Sequence, residues 1–138
     1  MIQRIQTIWL ALAAIFEGLT FQFPFYTGDW KEDSVNTAVN LKASTTTGFT
    51  VVTIIVIVIA VLSIFLFKNR PVQRLLCATG VGASAAAVGL YAYEMKDFFS
   101  GSIDVWALIY IAVIIFFILA IRSISADEKL IKSMDRLR

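Results

Sequence analysis

Glu17 is the residue of this chain whose position most suggests chemistry, because it is the single charge in a long apolar run from Ile5 to Gly28. A charge placed mid-membrane costs ~2.5–3.5 kcal/mol on insertion scales, so we expect its carboxyl group to face a bundle interior and to be protonated or hydrogen-bonded. Thr20 and Gln22 follow it closely. Such a group of intramembrane polar residues can move a proton or a cation, or it can be a satisfied contact between helices.

Hydroxyl side chains are the partners that the sequence offers to Glu17. Three further apolar runs, residues 43–67, 75–93 and 105–121, contain no Lys or Arg, so an ion pair within one subunit is not expected. The candidate partners inside the four runs are Thr20, Thr53, Ser63, Thr79 and Ser84.

Other reactive residues are scarce. The chain has no histidine and a single cysteine, Cys77, which excludes Cys/His zinc sites, histidine-ligated haem, and Cys–His or Ser–His–Asp catalytic groups. Glu94, Asp97 and Asp104 lie at the ends of apolar runs, where loop carboxylates are normally solvated. We therefore expect no catalytic residue, no metal site and no cofactor, and we expect Cys77 to be a packing thiol. A net charge of +2 from scattered residues does not favour nucleic-acid binding.

The elements that carry these residues follow from the distribution of charge. The chain has 138 residues, 59% hydrophobic and 16% charged, whereas soluble domains average ~45–50% and ~25%. Each apolar run is close to the ~20 residues that a helix needs to cross a membrane. We predict an all-α integral membrane fold over residues 1–124, an up-down four-helix bundle with spans at about 5–26, 48–67, 72–93 and 104–122.

The orientation of the bundle follows from Lys and Arg. Nine of the twelve basic residues lie on the side of the two termini and three on the other side. The positive-inside rule then places both termini in the cytoplasm. On the outside, residues 27–47 are expected to form a solvated connector, with a short amphipathic helix from Asp33 to Lys42 as the structured alternative. The second outer connection is short, and Ser102 is expected to cap the fourth helix.

Small residues predict where the helices meet, since association in lipid depends on close packing. The third span is rich in them, and we expect it to be the centre of the bundle, with the second and fourth spans more exposed to lipid. The predicted packing residues are Ala14 and Gly18 in the first span and Ala78, Gly82, Ala86 and Gly89 in the third. A contact between copies of the chain is the alternative use of this stripe, so the oligomeric state stays open.

The C-terminal segment, residues 125–138, predicts a separate cytoplasmic amphipathic helix. Ser125 to Glu128 has the pattern of a capping box. The apolar stripe that follows consists of Leu130, Ile131, Met134 and Leu137. This stripe can rest on the inner leaflet or dock on a cytoplasmic protein.

Both ends of the chain resemble a known family. The residues that carry the resemblance are Met1 to Thr7, Asp127 to Leu130 and Asp135 to Arg138. They are similar to the small four-helix inner-membrane proteins of Bacteroidota grouped as domain of unknown function family 4293. The resemblance implies an inner-membrane protein of a Gram-negative bacterium, and it supplies no activity and no site residues.

Three classes of function are compatible with these features. An enzyme is the weakest, because its carboxylates would lie in solvated loops. A small oligomeric transporter or channel would use Glu17, but four helices hardly enclose a pore, so it needs several copies. An accessory or scaffold subunit of an inner-membrane complex, with no catalysis of its own, needs neither catalytic carboxylates nor a pore. We therefore expect a scaffold that contacts the lipid bilayer and an unidentified membrane or cytoplasmic protein.

Overall fold

The computed structural model describes residues 3–30 and 38–135. This part of the chain forms four α-helices and three β-strands. A 3₁₀ turn at Met95–Asp97 connects the third helix to the third strand. In chain order they are α1 (Gln3–Leu19), β1 (Tyr26–Trp30), β2 (Ala38–Leu41), α2 (Thr47–Phe65), α3 (Arg70–Glu94), β3 (Phe98–Ile103) and α4 (Ala107–Asp135).

Three of the helices are long and apolar enough to cross a membrane. Their apolar stretches cover Thr47–Phe65, Arg70–Asp97 and Ala107–Ile131. The first of these is rich in β-branched residues, yet it is helical because a helix satisfies its own backbone hydrogen bonds in lipid. α1 is shorter, with an apolar stretch over Ile5–Leu19. The expected continuation of this span to residue 26 is wrong, since the chain leaves the helix after Leu19.

Each helix packs mainly against two neighbours. α1 contacts α2 and α4, and α3 contacts the same two helices, so α1 and α3 occupy opposite corners of a square. The apolar core between them consists of Leu10, Ala13, Val56, Ala60, Cys77, Val113, Phe117, Ala120 and Ile124. α4 supplies four of these nine residues and α3 supplies one. The expectation that α3 is the centre of the bundle is therefore wrong.

A three-stranded antiparallel sheet covers one end of the bundle, which we call the sheet end. Its strand order is β2-β1-β3. Tyr26 pairs with Leu41 on one side and Ile103 on the other, and Thr27 likewise pairs with Asn40 and Ser102. Since directly opposed residues point to the same face, the sheet has one apolar and one polar face. The expectation of a solvated connector over residues 27–47 is wrong where the two strands form.

Two glycines allow the Tyr26 ring to lie across this sheet. Gly28 and Gly101 are directly opposed. A Cβ atom on Gly101 would lie 2.7 Å from the Cα of Gly28 and 2.7 Å from Cε1 of Tyr26. A side chain at Gly28 would overlap the carbonyl oxygen of Ser100. The close approach therefore requires glycine on both strands.

Two predicted elements of the outer segments are wrong. The alternative helix from Asp33 to Lys42 is replaced by β2 over Ala38–Leu41, while residues 33–37 lie outside the described residues. Ser102 does not cap α4, because it belongs to β3. The start of α4 is instead fixed by Asp104, whose carbonyl oxygen accepts a hydrogen bond of 3.0 Å from the Ala107 amide.

The predicted break before the tail is also wrong, because α4 is continuous through Ser125 to Asp135. Ile124 and Asp127 are buried against the other helices, and this packing continues the helix past the capping sequence. Leu130 and Ile131 are about half exposed. The side chain of Met134, like Leu137 as a whole, lies outside the described part of the chain.

Candidate functional site

Glu17 lies near the sheet end of α1 and is 4% exposed. The backbone around it is fixed by the next turn of chain. Thr20 donates two hydrogen bonds to the Glu17 carbonyl oxygen, one from its hydroxyl at 2.7 Å and one from its amide at 3.2 Å. These bonds end the helix and hold the carboxyl-bearing residue inside the bundle.

Two tyrosines, one on α3 and one on α4, lie in the same buried region as Glu17. The Tyr110 hydroxyl, on α4, lies 3.1 Å from the Phe23 carbonyl oxygen and 3.3 Å from that of Thr20, and it donates to this pair. The ring of Tyr91, on α3, meets the Tyr110 ring edge to face with centroids 5.0 Å apart. Both hydroxyls interact electrostatically with the Glu17 carboxyl group. Each of α1, α3 and α4 thus contributes a polar group to one buried region.

The Tyr91 hydroxyl is buried and has no hydrogen bond of good geometry, although the hydroxyls of Tyr110 and Thr53 lie near it. Thr53, on α2, is 1% exposed. An unpaired buried donor costs about 1–3 kcal/mol. We call Glu17, Thr20, Thr53, Tyr91 and Tyr110 the sheet-end cluster, a polar group that includes one side chain from each of the four helices.

The sequence prediction named part of this cluster. Gln22 is exposed, as is Thr79, which donates to the carbonyl oxygen of Leu76 on its own helix. Ser63 and Ser84 are buried but likewise bond carbonyl oxygens of their own helices. The two tyrosines were missed, because aromatic residues near span ends are typical of the membrane interface and their spacing does not show which face they occupy.

A second polar group lies at the other end of the bundle, which we call the tail end. Gln73, on α3, is 1% exposed and donates from Nε2 to the Ser63 carbonyl oxygen at 2.8 Å. Asp127, on α4, is 5% exposed. Three buried atoms here have no hydrogen-bond partner: Arg70 Nη1, Gln73 Oε1 and Asp127 Oδ1. One turn away, Arg74 and Glu128 form an ion pair of 3.1 Å between α3 and α4.

The face that α3 turns to the bundle differs from the predicted one. Its buried residues are Gln73, Cys77, Gly80, Ser84, Ala87 and Tyr91. A Cβ atom on Gly80 would lie 2.6 Å from Cε1 of Phe117, so this glycine leaves the space that the Phe117 ring of α4 occupies.

The predicted packing stripe of α3 lies on the outside of the bundle. All four of its residues are exposed: Ala78, Gly82, Ala86 and Gly89. The Cβ positions of Gly82 and Gly89 have no atom within 4 Å. The same is true of Gly18 in α1, so the predicted contact between Ala14–Gly18 and the α3 stripe does not form. We call Ala78, Gly82, Ala86 and Gly89 the open face of α3.

Comparison with known sequences identifies the family. A family model described as "Domain of unknown function (DUF4293)" matches residues 2–137. The chain belongs to this family. No curated protein and no solved structure is significantly similar to it.

The described residues of this DUF4293 chain contain two groups of buried polar side chains, one at each end of the bundle. Within residues 3–30 and 38–135, no three His, Cys, Asp or Glu residues come together as a metal site would require. The sheet-end cluster offers one carboxyl group and several hydroxyls, and the tail end offers the guanidinium of Arg70, the amide of Gln73 and the carboxyl group of Asp127. Such groups can donate, accept and exchange protons, and they can fix helices to one another.

Proposed function

We propose that this DUF4293 chain is an accessory or scaffold subunit of a complex in the bacterial inner membrane, with no catalysis of its own. The observation that supports the proposal is the open face of α3. Four small residues lie exposed on one side of a helix that is long and apolar enough to cross a membrane. A face of this kind lets a neighbouring helix approach closely and gain packing contacts that lipid does not supply.

The lipid-facing surfaces of the other long helices are different. On α2 the exposed side chains are large and β-branched, as at Val51, Ile54 and Val58. On α4 they are Leu108, Ile111 and Ile115. Bulky apolar residues are well suited to lipid, whereas a smooth glycine and alanine surface is suited to another helix. The proposed occupant of the open face is a transmembrane helix of a different protein.

The proposed arrangement has four spans and both termini in the cytoplasm. The distribution of basic residues along the described chain supports it. Lys68, Arg70 and Arg74 are near the tail end of α3, and further basic residues follow along α4, while Lys42 and Lys96 lie near the sheet end. By the positive-inside rule the tail end faces the cytoplasm and the sheet lies outside. The exposed Leu130 and Ile131 would then contact the inner leaflet or a cytoplasmic partner.

The size of the native complex tests this proposal. Membranes of the source bacterium are solubilised at low detergent, and the complex that carries the chain is sized on native gels. Gly82→Leu is expected to release the chain from the complex because the larger side chain blocks the open face. Gly18→Leu is the matched control, since that glycine also has open space around its Cβ position but lies on α1.

Crosslinking identifies the neighbour at the open face. A photoreactive residue at Gly82 is expected to form an adduct with a chain of another sequence, and Ala86→Leu should abolish the adduct. An unchanged complex in Gly82→Leu would overturn the proposal. An adduct of twice the 15.3 kDa chain mass would also contradict it, because it shows a homo-oligomer.

A second candidate is a small oligomeric transporter or channel that uses Glu17. The observation in its favour is the sheet-end cluster, in which a buried carboxyl group lies near a Tyr91 hydroxyl that lacks a good hydrogen bond. Proteoliposomes with a pH-sensitive dye separate the two candidates. The transporter requires proton or cation flux in the wild type and its loss in a folded Glu17→Gln variant, whereas the scaffold gives no flux above that of empty liposomes.

A further inference from the structure

The sheet covers the ends of the helices, and at the end of β3 its apolar face extends past them. Tyr26 and Leu41 lie on this face and are 8% and 1% exposed, because they pack on helix residues such as Phe49 and Tyr110. Ile103 is directly opposite Tyr26 and therefore points to the same face, toward the bundle. It is nevertheless 60% exposed. At the Ile103 end of β3 the apolar face of the sheet thus extends past the helices, whereas Phe98 at the other end of the strand is buried.

The other face of the same strand is polar and already paired. Ser102 is directly opposite Thr27, whose hydroxyl lies 2.8 Å from Oδ2 of Asp104. The Ser100 hydroxyl donates to Oδ2 of Asp29 at 3.1 Å. The carboxyl groups of Asp29 and Asp104 are therefore engaged by sheet hydroxyls on the polar face.

Large apolar side chains on both sides of Ile103 are exposed as well, although Trp106 stacks on the Phe23 ring with centroids 4.1 Å apart. Phe99 is 84% exposed, Val105 77% and Trp106 45%. β3 itself, Phe98–Ile103, contains no charged residue. At the opposite edge, β2 exposes Ala38 and Asn40, and Ser44 to Thr46 are exposed before α2 begins. The sheet therefore has one apolar edge and one polar edge.

The position of β3 in the chain fixes where this apolar edge lies. β3 joins an apolar stretch that ends at Asp97 to one that begins at Ala107, and both stretches are long enough to cross a membrane. A short connection of this kind stays at the bilayer surface. The Lys96 ammonium lies over the Tyr93 ring, 5.2 Å from its centroid, an arrangement typical of long basic and aromatic side chains at the headgroup level.

We infer that the β3 edge of the sheet, formed by Phe99, Ile103, Val105 and Trp106, is a lipid-binding surface that lies in the boundary between headgroups and acyl chains. The occupant is the bilayer itself, and the apolar surface is continuous with that of α3 and α4. The sheet thereby has its apolar face toward the membrane and its polar face toward water, as an interfacial amphipathic helix does. The inference rests on the membrane location of the bundle and is independent of the scaffold proposal.

Adjacent residues on opposite faces of β3 provide the test. Spin labels are placed at Ile103→Cys and Ser102→Cys in a Cys77→Ala chain, which is reconstituted into nanodiscs of phosphatidylcholine and phosphatidylglycerol. Power saturation measures collision with oxygen, which concentrates in lipid, and with a nickel chelate, which stays in water. The ratio of oxygen to nickel accessibility is expected to be severalfold higher at 103 than at 102. A label at Phe99→Cys should follow 103, and one at Asn40→Cys should follow 102.

A label at Ile115→Cys, 48% exposed on α4, distinguishes the ways in which the test can fail. If 115 has a high ratio while 103 and 102 have equal low ratios, the β3 edge is in water and the inference is wrong. If 115 also has a low ratio, the membrane location of α4 is wrong and the inference falls with it. Melting curves of each labelled chain, compared with the Cys77→Ala chain, show that the fold is retained.

Discussion

The two faces of α3 are built from the same kinds of small residue but have opposite surroundings. Gly80 lies against the Phe117 ring, so closely that a Cβ atom would overlap it. Gly82, two positions later and on the other side of the helix, has no atom within 4 Å of its Cβ position. The comparison teaches that small residues alone do not mark a packing face. Which small-residue face packs inside the bundle depends on the bulky residue of the neighbouring helix that fits against it, here Phe117 of α4.

Gly80→Leu tests the packed face and should have the largest effect of the substitutions made on α3. Leucine raises helix propensity by about 1 kcal/mol over glycine, but the side chain has no room beside Phe117, which is fully buried. Overpacking costs about 1–3 kcal/mol and occasionally more. Because the buried ring leaves no room, we take the upper end of this cost, and after subtraction of the propensity gain we expect a net loss of about 2 kcal/mol in the free energy of unfolding, measured by denaturation in mixed micelles.

A double variant sharpens this prediction. Phe117→Ala alone should be strongly destabilising, because it leaves a cavity in the core. Combined with Gly80→Leu, it should destabilise less than the sum of the two single losses, since the leucine enters the space that the ring vacated. Additive losses would show that Gly80 and Phe117 do not determine each other's packing.

Removal of a tyrosine hydroxyl should have the next largest effect on the free energy of unfolding. Tyr91 on α3 and Tyr110 on α4 allow the two helices to be compared. Tyr110 donates to the carbonyl oxygens of Thr20 and Phe23, so Tyr110→Phe should cost about 0.5–1.5 kcal/mol in unfolding free energy. Tyr91→Phe keeps the ring that stacks on Phe49 at 4.3 Å and removes a hydroxyl without a good hydrogen bond. It should be neutral or stabilising by about 1 kcal/mol.

Equal losses in the two tyrosine variants would contradict this assignment. They would mean that the Tyr91 hydroxyl has a partner in the membrane, such as a bound water or the Glu17 carboxyl group. Measurements in the Glu17→Gln background then identify the partner, because a hydroxyl bonded to Glu17 would show a coupling free energy with that substitution and a hydroxyl bonded to water would not.

The ion pair at the tail end should have a smaller effect. Arg74 and Glu128 join α3 to α4 at 3.1 Å, with side chains 46% and 27% exposed. Ion pairs in solvent contribute about 0–1 kcal/mol. Arg74→Ala should therefore lower the unfolding free energy by about 0.5 kcal/mol in low salt and by less in high salt. A loss as large as that of Gly80→Leu would show that Arg74 belongs to the packed face.

The long helices could be predicted from the sequence because they depend on local properties. The runs without charge locate α2, α3 and α4 to within a few residues at most of their ends, except that α4 continues beyond its expected end to Asp135. That continuation depends on tertiary contacts of Ile124 and Asp127 with the other helices, which outweigh the capping sequence at Ser125.

The sheet and the buried tyrosines could not be predicted in this way. β1 and β3 are separated by more than 60 residues, and the pairing of Gly28 with Gly101 has no local signature. Glu17 was found because a charge in an apolar run is conspicuous. Tyr91 was missed because an aromatic residue near the end of a span fits the membrane interface as well as the core. Distant pairings and the choice of helix face are the information that local patterns lack.

Gly82→Leu should have the smallest effect on the isolated bundle and is the sharpest test of the comparison. The sequence alone predicts a loss of stability, whereas the open space around Gly82 predicts a free energy of unfolding that is unchanged or higher by up to about 1 kcal/mol, the gain in helix propensity. The measurement uses the purified chain in the micelles used for Gly80→Leu, where no partner helix is present. A loss comparable to that of Gly80→Leu would show that α3 packs through the face that the sequence suggested. If the purified chain is unaffected while the native complex is lost, the two faces have separate roles, with Gly80 stabilising the fold and Gly82 contacting a partner.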